Sequence, residues 1–354
     1  MLNRIIFDCE RMKYENTGLY HYCLNLGNQL QKIIDPGTEE LSFYTPPGMQ
    51  YAFGGKSKHI AQSPLHKFYM PDLKNYQVWH ATYQDSYYLP VRNKGIKVIL
   101  TIHDLNFLYD PMKSEEKKRK NLHRLQELIN RAEILVCISE HTKKDVLFYC
   151  EINNKSIHVV YNGTNTLHDP ALYNQSYKPK KPFLFSLGTI TRKKNVHALL
   201  PLINNDRSFE LVIAGRPDDS DYCNQIINTA REMEIVDKVH LLGQITENEK
   251  SWYFKNCSAF VFPSTAEGFG LPVAEAMSMG KPLFLSNKTA LPEIGGKVAF
   301  YFKDFSEDNM QQTFDHGMKQ YYKLNMREMI IKKGKEFCWE YAAMEYRKIY
   351  RSLY

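Results

Sequence analysis

Short, almost wholly apolar runs alternate along this chain with longer polar or amphipathic segments. The apolar runs cover residues 4–9, 41–44, 78–81, 97–103, 134–139 and 157–162, then 183–187, 209–214, 239–242, 259–262, 283–286 and 298–302. Runs of this length, bounded by turns or helical segments, predict buried strands of parallel α/β sheets. Between the first two, residues 19–32 place Leu19, Tyr22, Cys23, Leu26 and Leu30 at helical spacing. Residues 111–132 predict a polar helix carrying the block Lys117-Lys118-Arg119-Lys120. The alternation breaks at 167–181, where Asp169-Pro170, Lys178-Pro179-Lys180 and Lys181-Pro182 mark a linker. After it the strand pattern restarts. No internal repeat is found.

One stretch carries most of the chemistry. Residues 265–279 read TAEGFGLPVAEAMSM. A strand at 259–262 leads into the loop Gly268-Phe269-Gly270-Leu271. Pro272 suits the first position of a helix, and Gly280 with Lys281-Pro282 ends it. A strand, a glycine loop and a helix start point backbone N–H groups at an anion. Glu267 stands at the mouth of that loop, and Glu275 lies eight positions later, one turn into the helix. A phosphate cradle flanked by two carboxylates fits a ligand with phosphates and neighbouring hydroxyls, as a nucleotide-sugar has. Arg192, Lys193 and Lys194 follow the strand-end Gly188, where cations can clamp a diphosphate. His103 and Asp104 fall at the carboxyl end of another strand, where open α/β sheets place their chemistry.

Composition narrows the partners. A net charge of +7 suits an anionic ligand or surface, and 43% hydrophobic content argues against disorder. The seven cysteines, at 9, 23, 137, 150, 223, 257 and 338, form no CxxC pair, so reduced thiols are expected rather than a disulfide framework or a zinc site. No apolar run reaches the length of a membrane span, and the start MLNRIIFDCERMK reads as a strand rather than a signal peptide. The chain has no GxxxxGK[ST] loop, no GxGxxG after its first strand and no GxSxG elbow. No nucleic-acid-binding module accompanies the positive charge.

The run EGFGLPVAEAM resembles the signature of the family 4 retaining glycosyltransferases, and further segments agree with it. They are TIHDLNF around His103, the HVV-Tyr161-Asn162-Gly163 strand close, GTITRKKN at 188–195, TALPE at 289–293, and the tail from Phe337-Cys338-Trp339-Glu340 onward. The resemblance implies a GT-B fold: α/β, with two facing Rossmann-like domains, their parallel sheets, and a C-terminal helix crossing back to the first domain. The expected boundaries are 1–170 for an acceptor domain, 171–338 for a nucleotide-sugar donor domain and 339–354 for the returning helix. It also implies site residues. Glu267 and His103 would be the catalytic-site residues. Lys194, with either Arg192 or Lys193, would bind the donor diphosphate, and the amides of Gly268, Phe269, Gly270 and Leu271 would line it. Glu275 would hold the ribose diol, and Gln244 and Ile245 the base. Gly18, in NTGLY, stands where the family's first loop approaches the diphosphate.

The activity implied is retaining hexosyl transfer, mannose favoured, from a nucleoside diphosphate sugar with GDP-mannose preferred. The acceptor would be a saccharide, lipid-linked, in cell-surface polysaccharide or lipopolysaccharide synthesis. No cofactor and no metal are expected, because fixed cations and a helix N-terminus take the leaving charge. The expected location is the cytoplasm, with peripheral contact through Lys117–Lys120 to the anionic inner membrane face. The alternatives are a nucleotide-sugar 2-epimerase and a non-catalytic nucleotide-sugar-binding partner of another transferase.

Overall fold

The computed structural model describes residues 2–15, 17–55, 57–165, 167, 175–204 and 208–354. The chain forms two compact units, Met1–Asn165 with Cys338–Tyr354, and Thr166–Phe337. Most of the expected linker's first half, 168–174, and with it the expected boundary at 170, lies outside the described residues.

The first unit is built on seven parallel strands: β1 (Asn3–Asp8), β2 (Glu39–Thr45), β3 (Lys58–Ala61), β4 (Val78–Ala81), β5 (Lys97–Ile102), β6 (Ile134–Cys137) and β7 (Ser156–Val159). Their order is β3-β2-β1-β4-β5-β6-β7, and every pairing is parallel. The central strands are apolar along their length because helices cover the sheet. Helix α1 (Gly18–Ile33) starts at Thr17, whose side chain accepts from the Tyr20 N–H, and buries Tyr22, Cys23, Leu26 and Leu30, the face its spacing predicts. Helix α2 (Glu115–Arg131) buries only Leu125 and Ile129, and α3 (Glu140–Tyr149) follows β6. The strand β3 is a departure from expectation. Its sequence KHIA is half polar because it is an edge strand, in which only His59 and Ile60 are partly buried.

The second unit has six parallel strands: β8 (Phe183–Leu187), β9 (Glu210–Ala214), β10 (Val239–Gly243), β11 (Ala259–Phe262), β12 (Leu283–Ser286) and β13 (Phe300–Phe302), ordered β10-β9-β8-β11-β12-β13. Its helices are α4 (Ser220–Glu232), α5 (Glu247–Asn256), α6 (Leu271–Ser278), α7 (Leu291–Gly295), α8 (Glu307–Lys323) and α9 (Arg327–Gly334). After Asn195 the chain makes a 3-10 run, Val196–Ile203. Asn195 enters it in the left-handed region at φ 54°, and Pro201 inside removes a donor. In each sheet the direction of strand succession reverses once, between β1 and β4 and between β8 and β11. Such reversals are where open α/β sheets bind ligands, outside the carboxyl ends of the strands.

The last helix, α10 (Trp339–Arg351), belongs to the first unit and packs along α1. A buried hydrogen-bond chain anchors it. Tyr346 Oη lies 2.7 Å from Tyr22 Oη and 2.8 Å from Thr101 Oγ1. His80 bonds Tyr350 Oη through Nδ1 at 2.7 Å and Thr101 Oγ1 through Nε2 at 2.8 Å. Burial pushes the His80 imidazole down to about 3, so it is neutral. At the other end, buried Glu39 accepts from Arg347 Nε at 2.8 Å, Arg351 Nε at 2.7 Å and Tyr354 Oη at 3.0 Å.

Candidate functional site

The reversal in the second unit assembles its charged groups. The segment after β8 turns at Gly188, φ +150°, where a Cβ would stand 3.1 Å from Lys194 Cε; the glycine lets the lysine lie across the turn. The segment after β11 is stitched to it. The Thr265 N–H donates to the Lys193 carbonyl at 2.9 Å, as do the hydroxyls of Ser264 and Thr265. Lys194 Nζ thereby meets Glu267 Oε1 at 2.5 Å, with side-chain exposures of 14% and 12%. Burial alone would push the Glu267 carboxyl up. Lys194 and Lys193, with hydrogen bonds from Lys194 and Ser264, outweigh it and hold Glu267 below the usual carboxylate range. Its backbone is pinned too: the Glu267 N–H donates to Thr289 Oγ1 at 2.8 Å.

The glycine loop follows. Gly268, Phe269 and Gly270 are buried, and Phe269 packs edge-on against Phe337 at 5.3 Å. Gly270 is the cap of α6 at φ +100°, where a Cβ would stand 2.9 Å from Leu291. A side chain is excluded on both counts. Helix α6 begins one residue earlier than expected, so Pro272 holds the second helical position and Leu271 the first. With glycine as cap, no side chain closes the helix start.

Glu275 is 3% exposed, and its partner went unnoticed in the sequence. Lys250 Nζ of α5 sits 2.8 Å from Glu275 Oε1 and 2.7 Å from Glu247 Oε2. Burial opposes the Lys250 charge, but Glu275 and Glu247 outweigh it and raise the ammonium above its ordinary value. Twenty-five residues separate the pair, and a lysine in a polar helix reads as solvated, so no sequence signal marks the contact.

The three cations part company. Arg192 turns to α4: Nη1 donates to Gln225 Oε1 at 2.9 Å, and Nε lies 3.6 Å from Asp219. Lys193 is exposed yet close enough to Glu267 to lower its carboxyl. Gln244 is exposed and Ile245 half-buried just past β10. An Asp-x-Asp spelling stands at Asp219-Ser220-Asp221. Asp219 is the N-cap of α4 and accepts from the Tyr222 N–H. Among the described residues, no three His, Cys, Asp or Glu side chains gather as a metal-holding group.

The first unit holds the remaining candidates. His103 follows β5 and is buried; its Nε2–H donates to the Thr82 carbonyl at 2.8 Å, and its N–H donates to Gln84 Oε1 at 3.0 Å. Burial pushes the imidazole down to about 4. The neutral tautomer therefore keeps Nδ1 as an acceptor. Past β1, buried Asp8 and Glu10 share Ser86 Oγ at 3.0 Å each. Burial, then the Glu10 charge, pushes the Asp8 carboxyl well up. Gly18 is the exposed first residue of α1 and keeps an ordinary φ.

Comparison with known proteins identifies the family. The model of the family described as Glycosyltransferase Family 4 matches residues 33–167, and that of Glycosyl transferases group 1 matches residues 172–337. O-antigen chain mannosyltransferase B of Escherichia coli is 23% identical over 407 residues, covering 99% of this chain and 100% of its own. Among solved structures, sucrose-phosphate synthase from Thermosynechococcus elongatus is similar with a TM-score of 0.76 at 17% identity, over 99% of both chains. Anabaena Alr3699/HepE, in complex with UDP and glucose, has a TM-score of 0.71 at 13% identity, over 99% of this chain and 100% of that one. With a family 4 glycosyltransferase domain followed by a group 1 domain, each on a parallel α/β sheet, the chain belongs to the GT-B glycosyltransferases.

Proposed function

We propose that this glycosyltransferase moves a hexosyl unit, mannose in preference, from a nucleoside diphosphate sugar to a saccharide hydroxyl with retention of configuration. The observation that carries the proposal is the Lys194–Glu267 pair at the sheet reversal, beside a helix start left open by Gly270. When the glycosidic bond breaks, negative charge gathers on the departing diphosphate. Lys194, backed by Lys193 and the amides of the 268–271 loop, takes that charge. Arg192, engaged with α4, supports the loop rather than the phosphate. Glu267 stays anionic and accepts hydroxyls of the donor sugar, Glu275 holds the ribose diol, and Gln244 and Ile245 border the base. In the first unit, neutral His103 offers Nδ1 to a hydroxyl, and Gly18 leaves the backbone open to approach.

Two comparisons support the donor. The E. coli relative is named a mannosyltransferase of the O-antigen chain, and HepE was solved with UDP and glucose. GDP-mannose is the preferred donor on the first ground, and a lipid-linked saccharide of cell-surface polysaccharide synthesis the preferred acceptor. Among the described residues no helix is long and apolar enough to cross a membrane, so a lipid-linked acceptor calls for peripheral contact at the inner membrane face.

A thermal-shift screen of nucleotide-sugars tests the donor. GDP-mannose should raise the melting temperature most, and a larger shift with another nucleotide-sugar would replace it. Transfer should persist in excess chelator, since fixed cations take the leaving charge; loss restored by magnesium or manganese would contradict that. The anomeric configuration of the product, read by NMR coupling, tests retention.

A further inference from the structure

Five of the exposed aromatic and aliphatic residues of the first unit fall on two connections that cation–ring contacts link. Leu65, Phe68, Tyr69, Tyr87 and Val91 are 68%, 67%, 71%, 48% and 60% exposed. They lie on the two connections that leave the carboxyl ends of β3 and β4. The first begins with a 3-10 turn, Pro64–Lys67, closed by a capping box between Ser63 and His66. Both connections are rooted beneath the surface by Leu73, Tyr88 and Leu89 in the core, with Met70 packed against it. The exposed groups are therefore presented by a built framework.

Cations are interleaved with these rings. Lys67 Nζ lies 4.8 Å from the centre of the Tyr87 ring, and Arg124 Cζ lies 4.1 Å from it. Arg92 Cζ lies 5.5 Å from the Tyr69 ring. Arg124 is fixed on its own side by Asp85, at 2.7 Å. It shares one stripe of α2 with Lys117 and Lys120, by their spacing of three and four residues. The basic block thus continues an aromatic surface through Arg124. A free aqueous surface gives no reason to expose five large apolar side chains together.

Resting on the peripheral membrane contact proposed above, we infer that this aromatic–cationic face docks on an anionic phospholipid bilayer. Tyr and Phe bodies with cations beside them suit the headgroup boundary, where rings enter the acyl edge and ammonium and guanidinium groups meet phosphate. A neutral saccharide gives the cations no partner, and a second copy of a chain with net charge +7 would bring like charge against them. The Lys117–Lys120 block alone is a weaker contact. Lys118 is taken by Glu115 at 2.8 Å, and Tyr109 and Met112, the exposed apolar groups before that helix start, are fewer than those of the aromatic face.

The test is flotation of the full chain with phosphatidylcholine vesicles, with and without phosphatidylglycerol, at low and high salt. The parent should float with phosphatidylglycerol vesicles only. The combined change Leu65→Ser, Phe68→Ser, Tyr69→Ser should lower partition roughly tenfold or more even at low salt. Lys67→Gln with Arg92→Gln should lower it by roughly an order of magnitude at low salt and less at high salt. Nucleoside diphosphate affinity, carried by the other unit, should not change. If the triple variant loses that affinity as well, Phe68→Ser alone is read the same way. A parent that floats with neither vesicle overturns the inference, as does a triple variant that partitions like the parent. Unchanged vesicle partition with lost oligosaccharide binding would make the face a sugar platform. Unchanged partition with a lost dimer in sedimentation would make it a self-association surface.

Discussion

At the ends of β1 and β5 the first unit buries Asp8 and His103 so that uncharged forms are favoured: burial pushes His103 down to about 4, and burial with the neighbouring Glu10 charge pushes Asp8 well up. Past β8 and β11 the second unit buries Lys194 and Glu267, and on α5 and α6 Lys250 and Glu275, as compensated ion pairs. Both sheets reverse strand order at the corresponding place. Shared topology therefore fixes where polar groups collect, and the neighbours of each group fix whether it carries charge. An end built from paired charges can exchange a carboxylate for an incoming diphosphate. An end built from neutral acceptors is matched to hydroxyls. On the function proposed above, the second unit is the one suited to the donor diphosphate and the first the one suited to acceptor hydroxyls.

The sharpest way to break this contrast is Glu267→Gln. It removes the charge facing the donor sugar while keeping size, and turnover should fall by about 10²–10³-fold with nucleoside diphosphate affinity nearly intact. Single-turnover transfer and equilibrium binding read the two quantities; loss of affinity with turnover retained would reverse the roles of Glu267 and Glu275. Next in size is Lys194→Ala, which should weaken donor binding by about 1.5–3 kcal/mol, the scale of a charged hydrogen bond. A variant that binds as the parent does would remove the diphosphate from this end.

Lys250 tests the second pair. Lys250→Met should raise the donor Michaelis constant by about tenfold with turnover kept, the scale of one charge-assisted hydrogen bond. The same loss should follow Glu275→Gln, and the double variant should add little, because the residues act together. Independent, additive losses would show that Lys250 does not act through Glu275.

The smallest effect is on stability, and it concerns the neutral end. Folded His80 and His103 have values of about 3 and about 4 against an ordinary 6.5. The unfolded chain then binds protons that the folded unit refuses, so stability falls as pH drops from 6.5 toward those values. Glu39 joins lower down. Burial would raise its carboxyl, but Arg351, Arg347, the Asp35 N–H and Tyr354 hold it at about 2. Its contribution is present above its ordinary 4.5 and is lost as pH falls from there to about 2. The raised Asp8 carboxyl works the other way, so the measurement is made on Asp8→Asn: its melting temperatures should slope downward from 6.5 toward acid pH, and a flat curve would mean that these histidines are not held neutral.

What the sequence disclosed follows from the same physics. Strands at 183–187, 259–262 and 283–286 were legible to the residue, because both faces of a central parallel strand are buried and the run is unbroken. The edge strand β3 and the 3-10 run after Asn195 were not. One has too little burial to leave a pattern, and the other depends on a left-handed asparagine. The Glu267 loop was legible as a local motif. Its pairing with Lys194 spans 73 residues and needed the sheet order, while Lys250 carried no local mark at all. Likewise the spacing of Tyr346 and Tyr350 announced a helix face, but not that His80 and Tyr22 awaited their hydroxyls.

The return of α10 has a bearing on how the protein is made. The ribosome completes every strand of the first sheet, and then the whole second unit, before it delivers Tyr346, Tyr350, Arg347 and Arg351. Until then His80, Tyr22 and Glu39 stand on an assembled sheet without the partners that satisfy them, so the unit begun first is finished last. During synthesis the second unit can close on its own residues. The other half must wait, held open at the seam along α1 that the final helix fills.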